Sequence, residues 1–375
     1  MDKNFLKTIL NRLSKMGCHE ADVFFSKSKT SSCSSRLGKI EKKEESSTSE
    51  IGIRAIINKK QSIVSTTNLE KQNVYNLTEK VVEMAKVVPE NQYCGLAESD
   101  KIKQVSKQEV QKLEICDTYE PTMSLIEKEV IKLEESALDN KEITNSEGAE
   151  IAYSKNSICL LGSNGLEIEM EKTHSDFIIA VLAGSKDSME REYDYKSKVF
   201  YNELGDFEKI GKEVSQNAIK KLNSRKLKTC KSDVIFDSKV SSSLLRNLFS
   251  ASNAQSIVKG ISFLKDKMNN KIFNDQISII DDPLMPKKLR SKISDCEGIQ
   301  SKKKFLIEKG YLKFFFNSLA SAKQIKHEPS GHATRSASSI PSVSYSNLYM
   351  ENGEVSKLDM IKSLKKGLLI TELMG

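Results

Sequence analysis

Two amphipathic helices bracket a run of strand-patterned segments at the start of this chain, and that bracket limits the folds open to it. Phe5, Leu6, Ile9, Leu10, Leu13 and Met16 recur at spacings of three and four, which places them on one helical face that Gly17 can end. Val74, Leu77, Val81, Met84, Ala85 and Val88 repeat the pattern before Pro89 stops it. Between them, residues 21–28, 34–42, 49–58 and 61–65 read as strands, the last two joined at an Asn58-Lys59-Lys60 corner. A narrow apolar stripe has to be buried against something, and a sheet that is apolar on one side is the available partner. The stretch SSCSSRLGKIEKKEESSTSE is polar enough to face water, so this sheet is expected to be antiparallel.

Periodicity fades over residues 98–110, the first candidate boundary. Pro121 suits the first turn of a helix running through Leu125, Ile126, Val130, Leu133 and Leu138. Residues 143–153 and 157–162 then read as a strand pair, Ser163-Asn164-Gly165 as a turn, and 166–171, 177–183 and 189–195 as further strands. A helix with Phe207, Ile210, Val214, Ala218 and Leu222 follows, and the basic run 225–231 is the second boundary. Beyond it come a short strand at Val234-Ile235-Phe236, a long helix over 241–259 capped by Asp237 or Ser238, a strand at 277–280, and a hairpin over 305–316 turning at Glu308-Lys309-Gly310. The fold class expected is α+β: an N-terminal antiparallel sheet with covering helices (1–100), a central mostly antiparallel region (101–230) and a C-terminal β-rich domain (231–375).

Of 375 residues, 59 are Lys or Arg and 51 are Asp or Glu, so the net charge of +8 is spread among many acids. Basic runs such as 226–231 and 302–304 lack interleaved aromatics and there is no Trp, which argues against a nucleic-acid track. No run of 18 apolar residues occurs and the start is amphipathic, so neither membrane span nor secretory signal is expected, and the compartment expected is the cytoplasm. Seven cysteines with no C-x-x-C pair suit reduced thiols.

His327-Glu328-Pro329-Ser330-Gly331-His332 spells H-E-x-x-x-H, one residue longer than the zinc-peptidase motif. Residues five apart on a helix diverge by about 140°. Pro329 and Gly331 oppose a helix here, and Glu328 before proline is biased to extended backbone. The segment therefore reads as a loop, with His327, Glu328 and His332 kept only as a metal-site alternative. His19 and His174 stand alone beside apolar segments and read as structural, while Asp281-Asp282-Pro283 and Asp295-Cys296-Glu297-Gly298 read as turns.

Several segments in succession resemble the TldD/PmbA family, historically modulators of DNA gyrase and associated with metallopeptidase activity. They are GIRAIINKKQSIVSTTNLEKQNVYNLTEKVVEMAKVVPENQYCGLA, ISIIDDPLMPKKLRSKISDCEGIQSKKKFLIEKGYLKFFFNSLASAKQ, SGHATRSASSIPSVSYSNLYMENGE and KGLLITELMG. In the TldD branch the H-E-x-x-x-H lies on the long helix of the C-terminal domain. Aligning Leu244-Leu245 puts Arg246 and Ala251 at the two histidines and Asn247 at the glutamate, so the chain looks like the PmbA, or TldE, branch. The resemblance implies a non-catalytic subunit of a heterodimeric TldD/TldE-type zinc metallopeptidase that cleaves unfolded or small peptides. This chain then binds no cofactor, and zinc sits in a TldD-like partner. A zinc peptidase in its own right, or a DNA gyrase or nucleic-acid-associated modulator, are the other readings.

The branch usually carries a Gly-Asn-x-x-Arg loop where this chain has Gly331-His332-Ala333-Thr334-Arg335, with His332 the departure, and Cys296 replaces a second acid. Family members also usually continue past the segment matching GLLITELMG, so the C-terminal domain is expected to be incomplete. Gly331, His332, Arg335, Ser342, Ser344, Asn347 and Tyr349 are the candidate substrate- or partner-facing residues, because small polar side chains leave backbone groups free to pair with an extended peptide.

Overall fold

The computed structural model describes residues 2–185, 188–364 and 366–373. Helix α1, Lys3–Lys15, starts where the Asp2 carboxylate accepts from the Asn4 N–H, and it buries Leu6, Ile9 and Leu13. Strands β1, Glu20–Arg36, and β2, Lys39–Ile57, form one long hairpin. The expected strand over 34–42 instead contains its turn. Leu37 and Gly38 both take positive φ, and their N–H groups donate to the buried Glu134 carboxylate at 2.9 and 3.2 Å. Strand β3, Lys60–Thr66, follows the Asn58-Lys59 corner as expected, and helix α2, Lys71–Val87, ends before Pro89.

A short helix α3, Lys107–Lys112, closed by a Ser106/Glu109 capping box, lies near the end of the first boundary stretch. Helix α4, Met123–Leu138, is capped by Thr122, so Pro121 stands just outside the helix. Strand β4, Ile143–Gly162, is continuous, where the sequence reads as two paired strands; both halves pair with the same neighbours, so nothing breaks it. Strand β5, Glu167–Ala183, is likewise one strand, followed by β6, Glu190–Lys198, and helix α5, Phe207–Lys220.

These six strands make one antiparallel sheet in the order β3-β2-β1-β4-β5-β6, so the boundary near residue 100 falls between strands that share a sheet. Alternation then decides what each face does. Val23, Phe25, Ile51, Ile53 and Leu161 point to the face covered by α1 and α2, and Ile151, Phe177 and Ile179 to the part covered by α4 and α5. Gly211 lets α5 approach so closely that a Cβ there would lie 2.4 Å from the Leu133 carbonyl of α4. Phe24, Leu160 and Ile168 point the other way, against Leu319 and Ala337 of the C-terminal region.

That region begins with β7, Asp233–Phe236, and helix α6, Ser238–Ser252, capped by Asp237. The expected single helix over 241–259 breaks at Asn253, whose side chain accepts from Gln255 N–H at 2.9 Å to start α7, Ala254–Val258. Phe316 bridges the break, its N–H donating to Ser252 O and its carbonyl accepting from Ala254 N–H. Strands β8, Ile279–Asp281, β9, Lys304–Glu308, and β10, Tyr311–Leu312, precede helix α8, Leu319–Ile325. Then come β11, Ala333–Thr334, β12, Ser342–Val343, β13, Leu348–Met350, helix α9, Lys357–Ser363, and β14, Gly367–Ile370. The order β10-β9-β8-β13 makes a four-stranded sheet, β11 pairs with β12, and β14 runs parallel to β7. The architecture is mixed α+β with mostly antiparallel sheets.

Candidate functional site

The loop over 331–349 is held by carboxylates that the sequence presents as turn residues. Asp281, fully buried at the end of β8, accepts from the Ser346 N–H at 2.7 Å and binds His332 Nε2 at 2.9 Å. With a carboxylate at Nε2, that nitrogen carries the proton, and Nδ1 lies 2.9 Å from the Ser330 hydroxyl, which also has the Asn317 carbonyl within reach of its proton at 3.1 Å. The ring lies flat on Phe314 and edge-on to Phe316, centroids 5.6 and 4.8 Å away. Burial holds the imidazole below its ordinary pKa, against the opposing pull of Asp281. Asp295 ties the turn before it, accepting from the N–H groups of Glu297 and Ile299 through one oxygen and from Ala333 N–H through the other.

Arg335 then reaches out of the loop to the large sheet. Its side chain is fully buried and pairs with Asp22 of β1, which also takes Arg54 Nε at 2.7 Å and Nη2 at 2.5 Å. The Arg335 guanidinium lies 5.5 Å from the Phe24 ring centre. Two residues on, Ala337 sits on Gly52, where a Cβ would fall 1.8 Å from its carbonyl oxygen. Glu297 accepts from Leu319 N–H at 2.7 Å; burial first, and then the Asp295 charge, push its carboxyl up to about 8. Burial, and then the neighbouring Glu297 and Asp295 carboxyls, push the Cys296 thiol well above its ordinary range.

The candidate surface therefore divides. Gly331 and His332 are buried and the Arg335 side chain is consumed by Asp22, so these three support the loop from within instead of presenting it. Ser344 accepts from Arg290 Nη1, Asn347 donates to Asp282 O and Ser291 Oγ, and Tyr349 lies in β13 opposite Ile280, all half-buried. Ser342 is exposed, together with Thr334, Ser336, Ser338 and Ile340. The metal-site alternative does not assemble. His327 and Glu328 are exposed, His327 against Phe315, while both nitrogens of His332 are occupied on the other side of the Phe314-Phe315 alternation. Among the described residues no three of His, Cys, Asp and Glu come together as ion ligands.

Helix α6 carries the other candidate positions. Leu245, Leu248 and Phe249 turn into the core formed with Phe316 and Tyr345, leaving Arg246 and Asn247 exposed and Ala251 half-buried. A guanidinium, a carboxamide and a methyl group do not fit a zinc site built from two imidazoles and a carboxylate. Sequence reasoning passed over Asp22 and Arg54 and read Asp281 as a turn residue. The signal for the first two was present: each is a lone charge inside an apolar strand run, ADVFF and IGIRAII, and such a charge is buried only when paired.

The six-stranded antiparallel sheet thus carries helices on one face and packs against the C-terminal region with the other. Three successive family models match the chain: PmbA/TldA metallopeptidase domain 1 over residues 21–85, the central domain over 110–222 and the C-terminal domain over 229–375. The chain belongs to the PmbA/TldD family. It is 26% identical to the metalloprotease PmbA homolog of Buchnera aphidicola subsp. Acyrthosiphon pisum over 99% of this chain and 80% of the relative. It is 26% identical to metalloprotease PmbA of Escherichia coli O157:H7 over 95% and 76%. The fold matches TldE from Thermococcus kodakarensis with a TM-score of 0.84 at 22% identity, over 99% of this chain and 83% of that one. A Bacteroides thetaiotaomicron protein described as a modulator of DNA gyrase matches with a TM-score of 0.87 at 22% identity, over 100% and 82%.

Proposed function

We propose that this chain is the PmbA/TldE-like, non-catalytic subunit of a TldD/TldE-type zinc metallopeptidase complex acting on unfolded or small peptides in the cytoplasm. The observation that carries the reading is the composition of α6: Arg246, Asn247 and Ala251 occupy the positions where the catalytic branch carries its motif, and none of them supplies a zinc ligand of the family's kind. Zinc, and the water it activates for attack on a peptide carbonyl, then belong to a TldD-like partner. The exposed residues Thr334, Ser336, Ser338, Ile340 and Ser342 are this chain's contribution to a surface for the partner or the peptide. Their carrier loop is braced on the large sheet through Arg335 and Asp22, so its shape is set before any partner arrives. No helix among the described residues is long and apolar enough to cross a membrane.

The test is co-purification with the TldD-like chain of the same genome, followed by peptide cleavage with and without this subunit. A stable complex whose cleavage rate or peptide choice depends on this chain is expected. Partner activity indifferent to its presence would remove the proposal.

A further inference from the structure

The sheet edge beside the first boundary stretch is open. Strand β6 pairs with β5 only from Ser175 to Ala183. Just before that, Thr173 donates its N–H to Ile115 O at 3.1 Å and its hydroxyl to Val199 O at 2.9 Å, which closes the edge at that point. Backbone groups two residues apart in a strand point to the same side. At the other end of β5, Gly162 N–H donates to Leu166 O, so even-numbered residues there face β4. Glu167, Glu169 and Glu171 therefore direct their N–H and C=O groups outward, and among the described residues no strand pairs with them.

A cavity of about 900 Å³ adjoins this edge, a size that suits a bound ligand. Its lining differs on the two faces of β5. Met170 and its cross-strand partner Ile158 point to the face that packs on the C-terminal region. Glu169 and Glu171 point to the face of α1, as their partners Cys159 and Ser157 do. Asp2, Glu114, Glu169 and Glu171 outnumber Lys3 and Lys107 around the cavity. Lys3 is already engaged by Glu167 and Glu169, whereas Glu114 pairs with Lys287 at 3.5 Å and Glu171 with Lys155 at 3.4 Å and the Ser157 hydroxyl at 3.0 Å, yet both carboxylates stay about half exposed.

We propose that this cleft captures an extended peptide of alternating apolar and basic residues, which adds as a strand to the Glu167–Glu171 edge of β5. Its apolar side chains then fall beside Met170 and Ile158 and its basic ones beside Glu171, because a strand alternates faces with the same period as the edge it joins, and Glu114 adds a second acid to the cleft lining. The site lies on this chain alone and does not rest on the subunit assignment.

Fluorescence anisotropy with a labelled Val-Lys alternating octapeptide tests it, using the full chain carrying Cys230→Ser so that the exposed thiol is removed. The Val-Lys peptide is expected to bind, to slow alkylation of Cys116, which also lines the cleft, and to lose about tenfold in affinity in the Glu114→Lys/Glu171→Lys double variant. The same peptide N-methylated at alternate amides should not bind, since it cannot pair with the edge. Equal binding of a Val-Glu peptide, undiminished binding of the N-methylated one, or binding that leaves Cys116 alkylation unchanged would overturn the proposal. The last two readings decide the matter even where the double variant fails to fold.

Discussion

Replacing Asp22 by alanine probes how the C-terminal loop is fastened to the sheet. One carboxylate there serves two guanidiniums, and the side chains of Asp22, Arg54 and Arg335 are 3%, 4% and 0% exposed. Asp22→Ala leaves both cations in the interior, and breaking a buried pair from one side costs about 3–5 kcal/mol. Arg335→Met behaves differently. It leaves the two Arg54 bonds to Asp22 in place, and it removes a guanidinium whose Nη2 is buried without a hydrogen-bond partner. The expected cost is about 1.5–3 kcal/mol, the value of a hydrogen bond to a charged group. Urea denaturation followed by circular dichroism gives both numbers from the shift in midpoint at constant slope. Amide exchange over Ala333–Thr334 should quicken in both variants, since the loop loses its tie to β1. A cost for Asp22→Ala no larger than that for Arg335→Met would refute the reasoning, because the stranded cations would then have found another partner or water.

Two further outcomes follow from single residues. Gly211→Ala adds a Cβ 2.4 Å from the Leu133 carbonyl; alanine's helix preference is worth about 1 kcal/mol over glycine, yet forcing α4 and α5 apart should cost about 1–3 kcal/mol, so a raised melting temperature would contradict the close approach. Glu297 holds its proton up to about pH 8, whereas its ordinary value is 4.5. Between those values the folded chain keeps a proton that the unfolded chain has released, so stability falls as pH rises through that window. Glu297→Gln should flatten that slope, and urea midpoints that keep the parent's pH dependence would show that another group carries it.

Local chemistry accounts for the parts of this fold that could be read early. The stripes of α1, α2, α4 and α5, the Asn58-Lys59 corner, the Ser163-Asn164-Gly165 turn and the Asp237 cap all rest on residues within a turn or two of each other. The Pro329 and Gly331 argument against a zinc helix is of the same kind, as is the mismatch of Arg246, Asn247 and Ala251 on α6. Pairing at long range did not show. The strand halves of β4 look separable because Ser154, Lys155, Asn156 and Ser157 are polar, yet each is paired with β1 on one side and β5 on the other. The hairpin turn at Leu37-Gly38 depends on Glu134, almost a hundred positions away along the chain.

The loop over 331–349 shows the division most clearly. By itself the sequence determined that this stretch is irregular, because proline and glycine restrict the backbone through their own covalent structure. It also determined that α6 carries no family-type zinc ligands, because ligand chemistry belongs to the side chain. Only the tertiary structure decided which polar residues of the loop face outward. His332 and Arg335 are as polar in sequence as Ser336 and Ser342, but Asp281 and Asp22 draw them inward, since a buried donor goes where a buried acceptor waits and both acceptors come from distant strands.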